Sequence, residues 1–412
     1  MNTSARRRAE MSELAQLGSV ELRKALVGIS SMHSAVADGV FGGLRFAFGA
    51  RVEAARAVHD AISIGSYGAV AASATAVARL TELAADTPGR PPSETHRGAA
   101  ALSVLNGLIG DELDETGSTL ATGMSPRMGG RPVTVSAASL RVAYPNASSH
   151  VVVFLHGLME SEFAWSGHEK PSYGKRFEAD LVTTEVQVRY NSGRHISDNG
   201  RDLADLLSHL VFLWPVPVTE LTLVGHSMGG LVIRSACHVG EDAYWLSLVR
   251  HTVSLGTPHL GAPLARGVHA ATAALRTNRA TRPLGNFLGR RSAGVRDLFH
   301  GTLTDDGWRD GSGDSWWQAR AGDLPPLVPH AQHLFVTASL TGDPHHPVAR
   351  LVGDGLVLDA SGRGESRSVR IGFRPDDGLH IGKANHFTLL NNDAVYDWLL
   401  ARLRPRRALP AA

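Results

Sequence analysis

The sequence predicts an α/β protein, in which a mostly parallel central sheet carries helices on both faces, with a helical N-terminal extension and an inserted cap. Three observations carry that expectation. The stretch HVVVFLHGL at 150–158 is an unbroken β-branched run closed by glycine, the pattern of a strand covered on both sides. Five further short apolar runs follow, separated by segments long enough for crossover helices. TLVGHSMGGLV, residues 222–232, sets one serine between two glycines where a strand-like run meets a helix-like one.

Composition bounds the rest. The 412 residues, 43% hydrophobic and 19% charged, suit one large globular core with an appendage. A formal net charge of +2 signals no polyelectrolyte partner, so nucleic acid is a poor first guess. The basic runs RRR at 6–8 and RLRPRR at 402–407 read as solvated tails. A single cysteine, Cys237, allows no intrachain disulfide, and its apolar setting IRSACHV marks a buried structural thiol. The N-terminal arginines precede AEMSELAQLG, which has no apolar core or cleavage pattern. No secretory signal is visible, and the expectation is a cytoplasmic protein. AISIGSYGAVAASATAVA at 61–78 is too rich in Ala, Ser and Gly for a spanning helix and reads as packed or interfacial.

From the N-terminus, Leu22, Leu26, Ile29, Met32 and Val36 step at helical spacing, so residues 10–85 read as helices. DTPGRPPSETHRG at 86–98 is the linker candidate, which makes 1–98 the extension and 99–412 the α/β domain. RPVTV and LRVAY predict a short hairpin. TTEVQVRY, ELTLVGHS, RHTVSLGTP, QHLFVTASL and RSVRIGF predict the strands after HVVVFLHGL. Leu203, Leu206, Leu207, Leu210 and Val211 form an apolar stripe behind the polar start SDNGRD, a helix with one face on the sheet. Residues 262–330 form a long insertion holding Trp308, Trp316 and Trp317, which pack its own core or line an apolar pocket. DAVYDWLLARL predicts a C-terminal helix.

Gly225, Ser227 and Gly229 satisfy G-x-S-x-G, a strand-to-helix turn that exposes the serine hydroxyl above a sheet. A serine hydroxyl is a weak nucleophile until a base lies within hydrogen-bond reach, and that base needs an orienting acid. His386, in ANHFTLLNN after the last strand candidate, is the base candidate. Asp354 in GDGLVLDASG is the leading acid candidate, with Asp343 second and Asp376 and Asp377 further alternatives. The order serine, aspartate, histidine is the one this turn architecture requires. An oxyanion needs preorganised donors, and the backbone N–H of Met228, just after the serine, supplies one. A tight turn at FLHGLME, after His156 and Gly157, would aim that of Leu158 at the same point.

FLHGL, VGHSMGGL, LGTPHLGAPL and DGLV followed by NHFTLL, in that order, resemble the α/β-hydrolase superfamily. The similarity lies in its lipase-like branch, which includes bacterial triacylglycerol lipases and PGAP1-like GPI inositol-deacylases, and covers about residues 130–405. It implies Ser227 as nucleophile, His386 as general base and acid, Asp354 as its orienter, and Leu158 with Met228 as the oxyanion hole. It implies a serine esterase or lipase acting on a small-molecule or lipid acyl ester, and puts residues 255–261 near the site. Phe387, Thr388 and Leu389 follow the histidine where many secreted lipases carry calcium-holding acids, so no calcium site carries over. DDGWRDGSGD at 305–314 lacks the spacing of a calcium loop. No metal or organic cofactor is called for. Two other readings stay open: an acyltransferase using the same residues, and a membrane-surface or partner-binding protein acting through residues 10–130. The motifs specify neither acyl length, head group nor oligomeric state.

Overall fold

Residues of HVVVFL alternate between two packed layers because successive side chains leave a strand on opposite sides. Val151, Val153 and Leu155 enter one apolar cluster, Val152 and Phe154 the other, and all five are fully buried. The computed structural model describes residues 3–14, 89–166, 170–261, 292–306, 324–343, 346–366 and 369–404. Among them the strands are β1 (Ser125–Met128), β2 (Arg131–Pro132), β3 (His150–Leu155), β4 (Thr184–Arg189), β5 (Glu220–His226), β6 (Val249–Leu255), β7 (Gln332–Ser339) and β8 (Gly378–Gly382). They form one sheet in the order β2-β1-β4-β3-β5-β6-β7-β8. All neighbours from β4 to β8 are parallel, and the β1–β2 hairpin adds an antiparallel edge beside β4.

The helices, after a helical stretch at residues 3–14, are α1 (His96–Glu115), α2 (Ala137–Ala143), α3 (Tyr173–Leu181), α4 (Ile196–Leu213), α5 (Met228–Val239), α6 (Tyr244–Ser247), α7 (Ala293–His300), α8 (Pro347–Val352), α9 (Asp359–Gly362) and α10 (Asp393–Leu403). The predicted stripe on α4 buries Leu203, Leu206, Leu207 and Leu210 in the first cluster, where Leu231, Val232 and Ile233 of α5 join them. On the other face Phe177 of α3 meets Val395 and Leu399 of α10. Cys237 is buried in α5, and that burial pushes its thiol up to about 12. Among the described residues no helix is long and apolar enough to cross a membrane.

The N-terminal residues are tied down by acids. Glu10 accepts from the backbone N–H and hydroxyl of Ser93, at 2.9 and 2.6 Å, and Leu14 packs on the cluster of Leu102, Leu105, Leu113 and Leu120. Beneath them Arg189 and Glu162, each almost wholly buried, form a two-point ion pair, and a further Arg189 N–H donates to the Ser93 carbonyl. The linker candidate is only partly a linker, because Thr95 caps Gly98 N–H and α1 starts at His96.

Two strand expectations are corrected. LRVAY lies in α2, not in a hairpin; Ser136 caps that helix by accepting from Ser139 N–H, and the hairpin forms one segment earlier, between β1 and β2. RSVRIGF supplies only an isolated Glu365–Arg370 bridge, described from Val369 onward, and the last strand is GLHIG. Both glycines and a histidine lower its strand signal, yet its parallel pairing with β7 runs from Phe335–Gly378 to Ser339–Gly382. The helical stripe from Leu22 to Val36, the 61–78 run and Trp308, Trp316 and Trp317 lie outside the described residues.

Candidate active site

The chain steps from β3 to β4 on one side and to β5 on the other, so strand order reverses at β3. In open α/β sheets the crevice at the carboxyl ends of such strands is where ligands bind. Ser227 follows β5 there, and the turn of His156, Gly157 and Leu158 follows β3.

Ser227 takes φ 51° and ψ −120°, a sparsely populated conformation that a folded surround must hold. Its N–H donates to the Leu255 carbonyl at 2.8 Å, and its carbonyl accepts from Gly230 N–H at 3.2 Å. The flanking glycines answer to space. A Cβ at Gly225 would sit 2.4 Å from Gly230 N, and one at Gly229 would sit 2.6 Å from the Leu155 carbonyl oxygen. Any side chain at either position would push α5 off the sheet. Met228 opens α5, so its N–H has no carbonyl one turn back and points out of the helix start.

His386 begins a 3₁₀ turn (His386–Leu390) after β8, fixed by the Asn385 side chain, which accepts from Phe387 and Thr388 N–H. Its Nδ1 lies 2.8 Å from Asp354 Oδ2, while Asp354 Oδ1 accepts from the N–H groups of Leu356 and Val357. Both residues are buried. Burial works against the charged imidazole, but the Asp354 carboxylate, its hydrogen bond and the charge of Glu160 outweigh it and raise the His386 pKa. Asp343 instead closes its own turn, its carbonyl accepting from Thr341 Oγ1 and His346 N–H, and Asp377 accepts from Gln332 Nε2.

Two relationships place the His386 ring beside residues that neighbour or bind the serine. A Cβ at Gly256, next to the Leu255 carbonyl that binds Ser227, would lie 3.0 Å from the His386 ring. The rings of His386 and His226, the residue before the serine, have centroids 4.6 Å apart.

The turn after β3 approaches from the other side. A Cβ on Gly157 would lie 3.0 Å from Ser227 Cβ, so any side chain there would force the turn or the serine to give way. Glu160 N–H donates to the Gly157 carbonyl at 3.3 Å, which closes a four-residue turn with Met159 at φ 60°. Tyr190 N–H donates to His156 Nε2, which leaves the proton on Nδ1 for the same Gly157 carbonyl, at 2.8 Å. Burial lowers His156 to about 4, so the ring is neutral. A trans peptide is planar, so fixing the Gly157 carbonyl fixes the Leu158 N–H pointing the opposite way.

Sequence reasoning did not single out Glu160, His226 or Tyr190. The available signals were slight: an acid three residues after the glycine of HGLME, and a histidine inside GHSMG.

A mostly parallel sheet with an antiparallel edge, flanking helices, a strained serine turn after β5 and a histidine after the last strand are the features of an α/β-hydrolase fold. The family model of the PGAP1-like alpha/beta domain matches residues 176–292. Among solved structures, the mature form of a Bacillus licheniformis lipase is 19% identical, with 62% of this chain and 91% of that chain covered and a TM-score of 0.39. Aspergillus fumigatus lipase B is 12% identical, with 66% and 58% covered and a TM-score of 0.37.

Proposed function

We propose that the protein is a serine ester hydrolase of the esterase or lipase type, acting on carboxylic acyl esters. The observation that carries this reading is the Asp354–His386 hydrogen bond, formed beside the turn that strains Ser227. His386 Nε2 takes the Ser227 hydroxyl proton as Oγ bonds to the ester carbonyl carbon. In this reading the N–H groups of Leu158 and Met228 receive the oxyanion, and donors preset by their turns spare reorganisation as it forms. Collapse expels the alcohol, protonated by His386, and leaves an acyl group on Ser227. Water, deprotonated by the same imidazole, then releases the acid. Asp354 keeps the ring in the tautomer that exposes Nε2.

Labelling with a fluorophosphonate probe, followed by a p-nitrophenyl ester chain-length series, tests the proposal. Stoichiometric labelling lost in Ser227→Ala is expected, with ester cleavage reduced by roughly 10⁴-fold or more. Unchanged cleavage by the Ser227→Ala protein ends the reading. Product analysis with an added alcohol separates hydrolysis from acyl transfer, since a transferase would form the new ester in preference to the free acid.

A further inference from the structure

One carboxylate oxygen joins two of the three segments that carry the proposed chemistry, and His226 links it to the third. Glu160 Oε2 accepts from Gly157 N–H at 2.7 Å, in the turn after β3, and lies 2.9 Å from His226 Nδ1, in the turn after β5. His226 Nε2 in turn faces the His386 carbonyl at 3.3 Å, in the loop after β8. The His226 side chain is fully buried and the Glu160 side chain is 13% exposed. Both His226 nitrogens face oxygen acceptors, so the ring acts as a strut between the turn and the histidine loop.

Both peptide groups that meet at Gly157 are therefore gripped. Its carbonyl accepts from His156 Nδ1 and Glu160 N–H, and its own N–H donates to the Glu160 side chain. The turn contains Met159 in a left-handed conformation, which a non-glycine residue keeps only when its neighbours impose it. Buried as it is, the carboxyl is kept ionised: burial raises its pKa, but the His226 charge and the hydrogen bonds of His226 and Gly157 hold it at about 2.

We infer that Glu160 is a positioning residue that, through His226, locks the Leu158 N–H against the Ser227 turn. This rests on the proposed ester hydrolysis, in which that N–H meets the oxyanion. Its contribution belongs to the transition state, because the substrate carbonyl makes little demand on a donor aimed at an alkoxide.

The test is kcat and KM for a p-nitrophenyl ester, per active site counted with the fluorophosphonate probe. Glu160→Ala is expected to lower kcat by about 10²-fold, the scale of losing one oxyanion donor, with KM within about twofold. Glu160→Gln keeps an oxygen that can accept from both partners, and is expected to restore kcat to within about fivefold of the native enzyme. Adding His226→Ala to Glu160→Ala is expected to cost nothing further, since both act through one link. If Glu160→Ala does not fold, His226→Ala alone reads the same link, with the same loss in kcat. Native kcat per site in Glu160→Ala or in His226→Ala, a loss confined to KM, or a loss that Glu160→Gln fails to restore overturns the inference. Activity that survives Ser227→Ala would instead overturn the ester-hydrolase reading, so the two failures are distinguishable.

Discussion

Asp354 holds His386 twice, once through its carboxylate on the ring Nδ1 at 2.8 Å and once through its backbone carbonyl on the His386 N–H at 3.0 Å. Ring and backbone are thus referred to one residue. The imidazole cannot swing about its own side-chain bonds without losing the first contact, nor can its loop lift away without losing the second.

That double hold sets the first expectation. Asp354→Asn should reduce kcat by about 10⁴-fold with little change in KM, the scale seen when the acid of a serine triad is replaced by its amide. Asp343→Asn should stay within about twofold. Steady-state kinetics on a p-nitrophenyl ester with counted sites compares them, and a large loss in Asp343→Asn would reassign the acid.

The pH profile follows from the raised His386 pKa. The base acts when neutral, so kcat/KM should fall as pH drops, with a midpoint above the ordinary imidazole value of about 6.5. Asp354→Asn should move that midpoint down. For stability the direction is opposite: a pKa raised on folding favours the protonated folded state, so this contribution is complete below the unfolded pKa and lost as pH rises through the folded one. Profiles of kcat/KM and denaturation midpoints across pH 5–9 measure both, and an acid limb centred well below about 6 contradicts the first.

Gly157→Ala places a methyl 3.0 Å from both Ser227 Cβ and Glu160 Oε2. The turn or the serine must retreat by a fraction of an ångström. Loss of about 10²-fold in kcat is expected, the scale of a small misplacement at a reacting centre. The folded fraction, read by circular dichroism, should remain native; native kcat would show that the turn has slack.

Glu162→Gln leaves the Arg189 guanidinium buried without its anion, and should destabilise the fold by about 3–5 kcal/mol. Urea unfolding measures it. Replacing both residues with apolar ones of similar size should recover most of the loss, because the cost lies in the stranded charge.

The central strands were legible because the chain writes burial on both faces as continuous Val, Leu and Phe, and the nucleophile turn because its glycines are dictated by backbone contact within a few residues. GLHIG was not legible: an edge strand with every residue part-exposed needs no apolar run, and its pairing with β7 is set by chain segments far away. LRVAY failed for the opposite reason, its alternation imitating a strand while Ser136 supplied a helix start. Glu160 and His226 could not have been paired from sequence, since 66 residues separate them and only the meeting of β3 and β5 brings them together.

Gly261 and Ser292, the described residues on either side of positions 262–291, are both anchored. Leu260 N–H and the Gly261 carbonyl are bound by the Ser361 hydroxyl, and on return Ser292 Oγ donates to the Gly107 carbonyl while Ala293 N–H donates to Asp111. Each end is thereby fixed by a partner from a distant part of the chain, so the positions of Gly261 and Ser292 are set by the body of the fold.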